Sequence, residues 1–193
     1  MSSCAILLIG DSMDIMDAIK GALNSNANLS NEMKENIYEL VNIFHNKFAD
    51  VDLNNLKNRL MTLEIRKLNK FLSNDVSMYN NVTNVLYFNG ERLNNGYDAR
   101  HVLMYEILNM ISSTDEKRGF IHEGRFEALN VGFTEILANY LVGNDSDIPL
   151  YPEQAIETNL ISIIIGSDVL KKAYFGNNTD MLIRGFADAG VEL

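Results

Sequence analysis

VLMYEILNMISS at residues 102–113 and EALNVGFTEILANYL at residues 127–141 are the two stretches on which the reading of this chain turns. In the first, Val102, Leu103, Glu106, Asn109 and Met110 recur at helical spacing, which predicts a helix running from Asp98 to about Ser112-Ser113. In the second, Phe133, Ile136, Leu137 and Tyr140 form an inward stripe on a helix over 128–141, ended by Gly143 and the turn-rich NDSDIP. A polar loop to about Gly124 separates them.

On the N-terminal side, residues 11–23 suit a helix capped by Asp11-Ser12, and Asn31 to Phe48 a longer one with Met33, Ile37, Leu40, Val41, Phe44 and Phe48 at helical spacing. Asp52 is placed to cap LNNLKNRLMTL, and LEIRKL alternates as a short strand. VTNVLYF at 82–88 is β-branched and aromatic, and it ends at Asn89-Gly90, a pair suited to closing a strand with a turn. Residues 153–166 and 167–175 read as two further helices, the first so rich in Ile that burial on most sides is expected. Met13, Met16, Met33 and Met110 sit where Met commonly fills core gaps. The sum is a mainly helical α+β fold with a small sheet. It is expected to be one domain over 1–193, with a helical part at 1–72 and a second part at 73–193.

Sixteen basic against twenty-six acidic residues give a formal charge of -10, which repels phosphate backbones and argues against nucleic acid as a partner. MSSCAILLIGDSMD lacks the basic start and cleavage site of a signal peptide and the length of a membrane span. A mature cytoplasmic protein without a membrane partner is expected. Cys4 is the sole cysteine, so no intrachain disulfide forms, and its apolar neighbours suit a buried thiol.

The two opening stretches also resemble the paired motifs of gluzincin-type zinc metallopeptidases, in a form similar to small, uncharacterised proteins of low-GC Gram-positive bacteria. There the first motif reads like HELFHLFSS and the second like LNEGFTE; they align without gaps onto Tyr105 to Ser113 and Leu129 to Glu135. In such enzymes H-E-x-x-H sets two imidazoles on one helix face and a second helix adds a Glu ligand. The strand region before the first motif and IIGSDVLKKAYFGN (164–177) extend the resemblance over most of the chain, as a zincin-like domain. It implies that Tyr105 and Asn109 stand at the His positions, Val131 at the Glu ligand, and Glu106 at the general base. Asn130, Gly132, Thr134 and Glu135 match the family phrase.

Catalytic zinc takes three nitrogen or carboxylate donors at about 2.0–2.2 Å and an open water position. A phenol, an amide and an isopropyl group do not supply them, and without zinc Glu106 has no acidified water to work on. The resemblance therefore implies a degenerate enzyme with no cofactor that acts by binding a protein or peptide, captured by strand addition at the edge of the 82–88 strand. Two local compensations are expected: the Tyr105 hydroxyl donating to Glu135, and Asn109 satisfying Glu106 one turn away.

Other readings stay open. The first string also fits an ordinary amphipathic helix, with Glu106 and Glu135 solvated. An active zinc hydrolase with atypical ligands would draw on His101, His122 and Glu123, with Glu127 nearby. IGDS at 9–12 resembles the first block of GDSL-type hydrolases, with Ser12 as nucleophile and Asp98 and His101 as a D-x-x-H pair. His101 itself reads as a partly exposed helix residue, and His45 carries no chemistry. A structural or assembly protein is the third class.

Overall fold

The computed structural model describes residues 14–69, 71, 73, 75–146 and 148–191. Cys4, Ser12, Met13 and the expected cap Asp11-Ser12 lie outside the described residues. The first helix, α1 (Ile15–Ser25), is capped by Asp14, whose side chain accepts from the Met16 N–H. Ser30 caps α2 (Asn31–Lys47) in the same way, through the Met33 N–H. The stripe Ile37, Leu40, Val41 and Phe44 is buried, as its spacing requires. Asp52 accepts from the Asn54 N–H at the start of α3 (Asn54–Leu60).

Three strands follow: β1 (Glu64–Leu68), β2 (Ser77–Asn80) and β3 (Val85–Asn89). Their order is β1-β3-β2, with β1 parallel and β2 antiparallel to β3. β3 is thus the central strand, and its outer edges are both paired. That overturns the expectation that the 82–88 strand offers a free edge; among the described strands the free edges belong to β1 and β2. Asn89-Gly90 does not close a hairpin either. The Asn89 side chain accepts from the Arg92 N–H and caps a short helix, α4 (Gly90–Asn94). The β2–β3 turn is instead organised by Asn80, whose Oδ1 accepts from the Val82 and Thr83 N–H groups.

α5 (Ala99–Ile111) is capped by Asp98 and buried at every residue from His101 to Ile111. A helix this apolar all round belongs inside a core, and α5 packs against β2, α2, α3 and α6. α6 (Glu127–Val142) lies beside it and ends at Gly143, with φ 69°. α6 in turn lies against α7 (Pro152–Ile165). At their crossing a Cβ on Gly132 would overlap the Gln154 carbonyl and the Thr158 hydroxyl, so only glycine permits this approach. α8 (Ser167–Phe175) and α9 (Thr179–Asp188) close the chain. The mainly helical α+β fold with a small sheet is as expected, and one contiguous buried core draws on every described helix but α4, whose Leu93 packs against it.

Burial departs from expectation on α6 and α7. Tyr140 is 63% exposed instead of inward. α7 is not buried on most sides: Ile156, Leu160, Ile163 and Ile164 are 53–80% exposed, while Thr158 and Ile165 are its buried residues. The glycine contact puts the Thr158 side of α7 against α6, and that geometry turns the Ile-rich side outward. Among the described residues no helix is long and apolar enough to cross a membrane.

Candidate functional site

Tyr105, Glu106 and Asn109 reach one wall of a cavity of about 420 Å³; Glu127 and Val131 of α6 form a second wall, and β2 with Asn81 and Val82 a third. Asp75, Arg118 and Tyr151 complete the lining. The first three share a face because i and i+4 lie nearly above one another on a helix and i+1 is within about 100° of both. Val131 joins them because α5 and α6 pack side by side.

Glu106 is 1% exposed, so it is no solvated surface carboxylate. Its Oε1 accepts from Ser77 Oγ at 2.5 Å and its Oε2 from Asn109 Nδ2 at 3.0 Å. The Asn109 pairing is the expected one. Burial pushes the Glu106 carboxyl above the usual carboxylate range, against the opposing pull of the Ser77 and Asn109 hydrogen bonds and the Arg118 charge. Asn109 Oδ1 is buried with no hydrogen-bond partner. Tyr105 packs on Tyr151 with ring centroids 5.3 Å apart and planes tilted by 34°, and the Tyr151 hydroxyl donates to Asp75 Oδ1 at 3.2 Å. Burial, reinforced by neighbouring acidic groups, raises both phenols far above their ordinary range, so each stays neutral at physiological pH.

The expected Tyr105–Glu135 pairing is not formed. Glu135, 1% exposed, accepts from His101 Nε2 at 3.0 Å and from Asn139 Nδ2 at 3.1 Å. His101 is also 1% exposed, contrary to its reading as partly exposed, and its Nδ1 lies 2.7 Å from the Gly143 carbonyl. Both ring nitrogens face acceptors, an arrangement satisfied by the imidazolium with two N–H donors. Burial pulls the imidazole pKa down, but the Glu135 hydrogen bond and charge, followed by Gly143 and Asp98, outweigh it and hold it above the ordinary value. His101 sits one turn before Tyr105 and Glu135 one turn after Val131. The side-by-side register of α5 and α6 that joins Tyr105 with Val131 therefore also joins these two, behind the cleft.

The structure does not bring His101, His122 and Glu123 together as a ligand set. His101 has both nitrogens engaged, His122 and Glu123 are exposed on the 112–126 loop, and among the described residues no three His, Cys, Asp or Glu side chains gather as a metal site. The positions picked out by the motif resemblance fit zinc no better: a neutral phenol, an amide whose nitrogen is committed to Glu106, and a valine. The D-x-x-H pair is structural too. Asp98 Oδ1 accepts from the Arg100 and His101 backbone N–H groups and Oδ2 from that of Asp145, while the His101 ring points to Glu135. Although burial opposes it, those backbone donors hold the Asp98 carboxyl below its usual range.

The remaining matched residues pack. Asn130 Oδ1 accepts from the Phe120 N–H and pins the loop to α6; Thr134 Oγ1 lies 2.7 Å from the hydroxyl of the fully buried Tyr174. Burial raises that phenol to about 12. Sequence reasoning missed Ser77, Asp75, Arg118 and Tyr151. They come from a four-residue strand and irregular segments that carry no periodic signal. No protein-family model, curated protein or solved structure matches the chain.

Proposed function

We propose that the chain is a catalytically inactive, zincin-like metallopeptidase relative that binds a peptide segment of a protein partner in the cleft beside β2. The observation that carries this reading is the convergence of Tyr105, Glu106, Asn109 and Val131, the four positions equivalent to the ligands and base of a gluzincin, on one cavity next to an edge strand. An exposed strand edge offers unpaired backbone groups to an extended peptide, and adjacent pockets select its side chains. The capturing strand in this reading is β2, since β3 is paired on both sides.

Selection of a displayed random-peptide library on the wild-type protein tests the reading, with Val131→Arg as the blocked-cleft control. Enriched peptides should bind the wild type, lose at least tenfold in affinity on Val131→Arg, and remain uncleaved in micromolar zinc. Peptides that bind both forms equally, or that are hydrolysed in a Glu106-dependent way, would refute it.

One observation favours a second reading, an assembly protein. The ridge Ile156, Leu160, Ile163 and Ile164 follows helical spacing on an outer face, and a second copy of the chain would cover it by an isologous contact. Light scattering separates the cases, since a dimer has twice the 21.8 kDa monomer mass.

A further inference from the structure

Asn109 is 4% exposed and its side chain is half satisfied: Nδ2 donates to Glu106 Oε2, whereas Oδ1, on a residue lining the cleft, has no partner. An unmet buried acceptor is destabilising and calls for an explanation. Every group beside it that is fixed by contact points the same way. Glu106 has both oxygens turned to donors, and Asp75 and Glu127 add two more carboxyl groups to the lining against the one guanidinium of Arg118. Tyr105 and Tyr151 contribute a tilted pair of rings to the same space. The lining carries more carboxyl groups than cations, in a chain that carries -10 overall.

Resting on the peptide-binding reading, we infer that the cleft selects a cationic side chain, Arg or Lys, of the bound peptide, with its N–H groups donating to Asn109 Oδ1 and the Glu106 carboxylate. Guanidinium carries five donors and ammonium three, with no acceptor to clash with the surrounding oxygens. The two aromatic rings add a cation–π contribution. An acidic side chain would meet Asp75, Glu106 and Glu127 instead, and an apolar one would leave Asn109 Oδ1 unpaired.

The test uses small probes that need no strand pairing: N-acetylarginine amide, N-acetyllysine amide and N-acetylnorleucine amide, titrated to tens of millimolar while the Tyr105 and Tyr151 ring resonances are followed by NMR. The arginine and lysine probes should give saturable shifts and the norleucine probe none, with at least tenfold weaker binding in Asn109→Leu or, if that variant does not fold, in Glu106→Gln. Equal response to norleucine, no saturable response to any probe, or undiminished binding by the folded variant overturns the inference. Library peptides that bind without enrichment of basic residues overturn it while leaving peptide binding intact. Probe binding without any captured peptide supports the cation subsite and removes the peptide reading.

Discussion

Replacing His101 by leucine removes one member of the buried pair that ties α5 to α6. His101 and Glu135 are each 1% exposed, and the pair distance is 3.0 Å. Breaking a buried ion pair from one side leaves an uncompensated charge, at a cost of about 3–5 kcal/mol. Here Glu135 would keep only the Asn139 amide on its side chain. For a chain of this size each kcal/mol moves the melting temperature by about 2–4 °C, so His101→Leu should melt about 6–20 °C below the wild type. The double variant His101→Leu/Glu135→Leu should recover much of the loss, because no charge is then stranded. The pH dependence has a defined sign. The folded state holds the His101 proton more tightly than the unfolded chain, so the stabilisation is fully present below about pH 6.5 and fades as pH rises through the raised folded value. Urea unfolding of wild type and variants at pH 6 and pH 9 measures this directly. A cost below about 1 kcal/mol at pH 6, or a double variant whose loss equals the sum of the singles, would refute the reasoning.

Gly132→Ala should cost about 1–3 kcal/mol by overpacking α6 against α7, read from the urea midpoint. Glu106→Gln acts through linkage: the folded carboxyl titrates above the unfolded one, so its contribution is present below about pH 4.3 and is lost as pH rises through the folded value. The amide variant should therefore gain about 1 kcal/mol on the wild type at pH 8 and lose that advantage near pH 4, by the same assay. Ile163→Lys, at a position 80% exposed, should change monomer stability by less than about 0.5 kcal/mol, while an assembly through the α7 ridge would dissociate, as light scattering would register.

Elements with a clear apolar period were legible from the sequence. α2 shows its stripe directly, and α5 and α6 were bounded to within a residue or two by Asp98, Ser112 and Gly143. β2 was invisible because SMYN is four residues long with no β-branched member, and it becomes a strand only by pairing with β3. The sidedness of α7 was misread because an apolar run fixes composition but not orientation; Gly132 and Thr158 decide which side faces in. At the candidate site, the contact between Glu106 and Asn109 follows from spacing along one helix. The contact of Glu135 with His101, in place of Tyr105, depends on the axial register of two packed helices, which no local pattern encodes. Ser77, Asp75 and Tyr151 enter the cleft by tertiary placement alone.

The claim that the cleft is a gluzincin frame with its ligands replaced is tested most directly by putting them back. In the variant Tyr105→His/Asn109→His/Val131→Glu, three zinc ligands would stand on the two helix faces that now line the cavity. The protein is purified without a histidine tag, equilibrated with micromolar zinc, checked for folding by circular dichroism, and its metal content determined by elemental analysis. Close to one zinc per folded chain is expected in the variant and far less in the wild type; a folded variant that holds no more zinc than the wild type, or a wild type that already holds one, would contradict that claim.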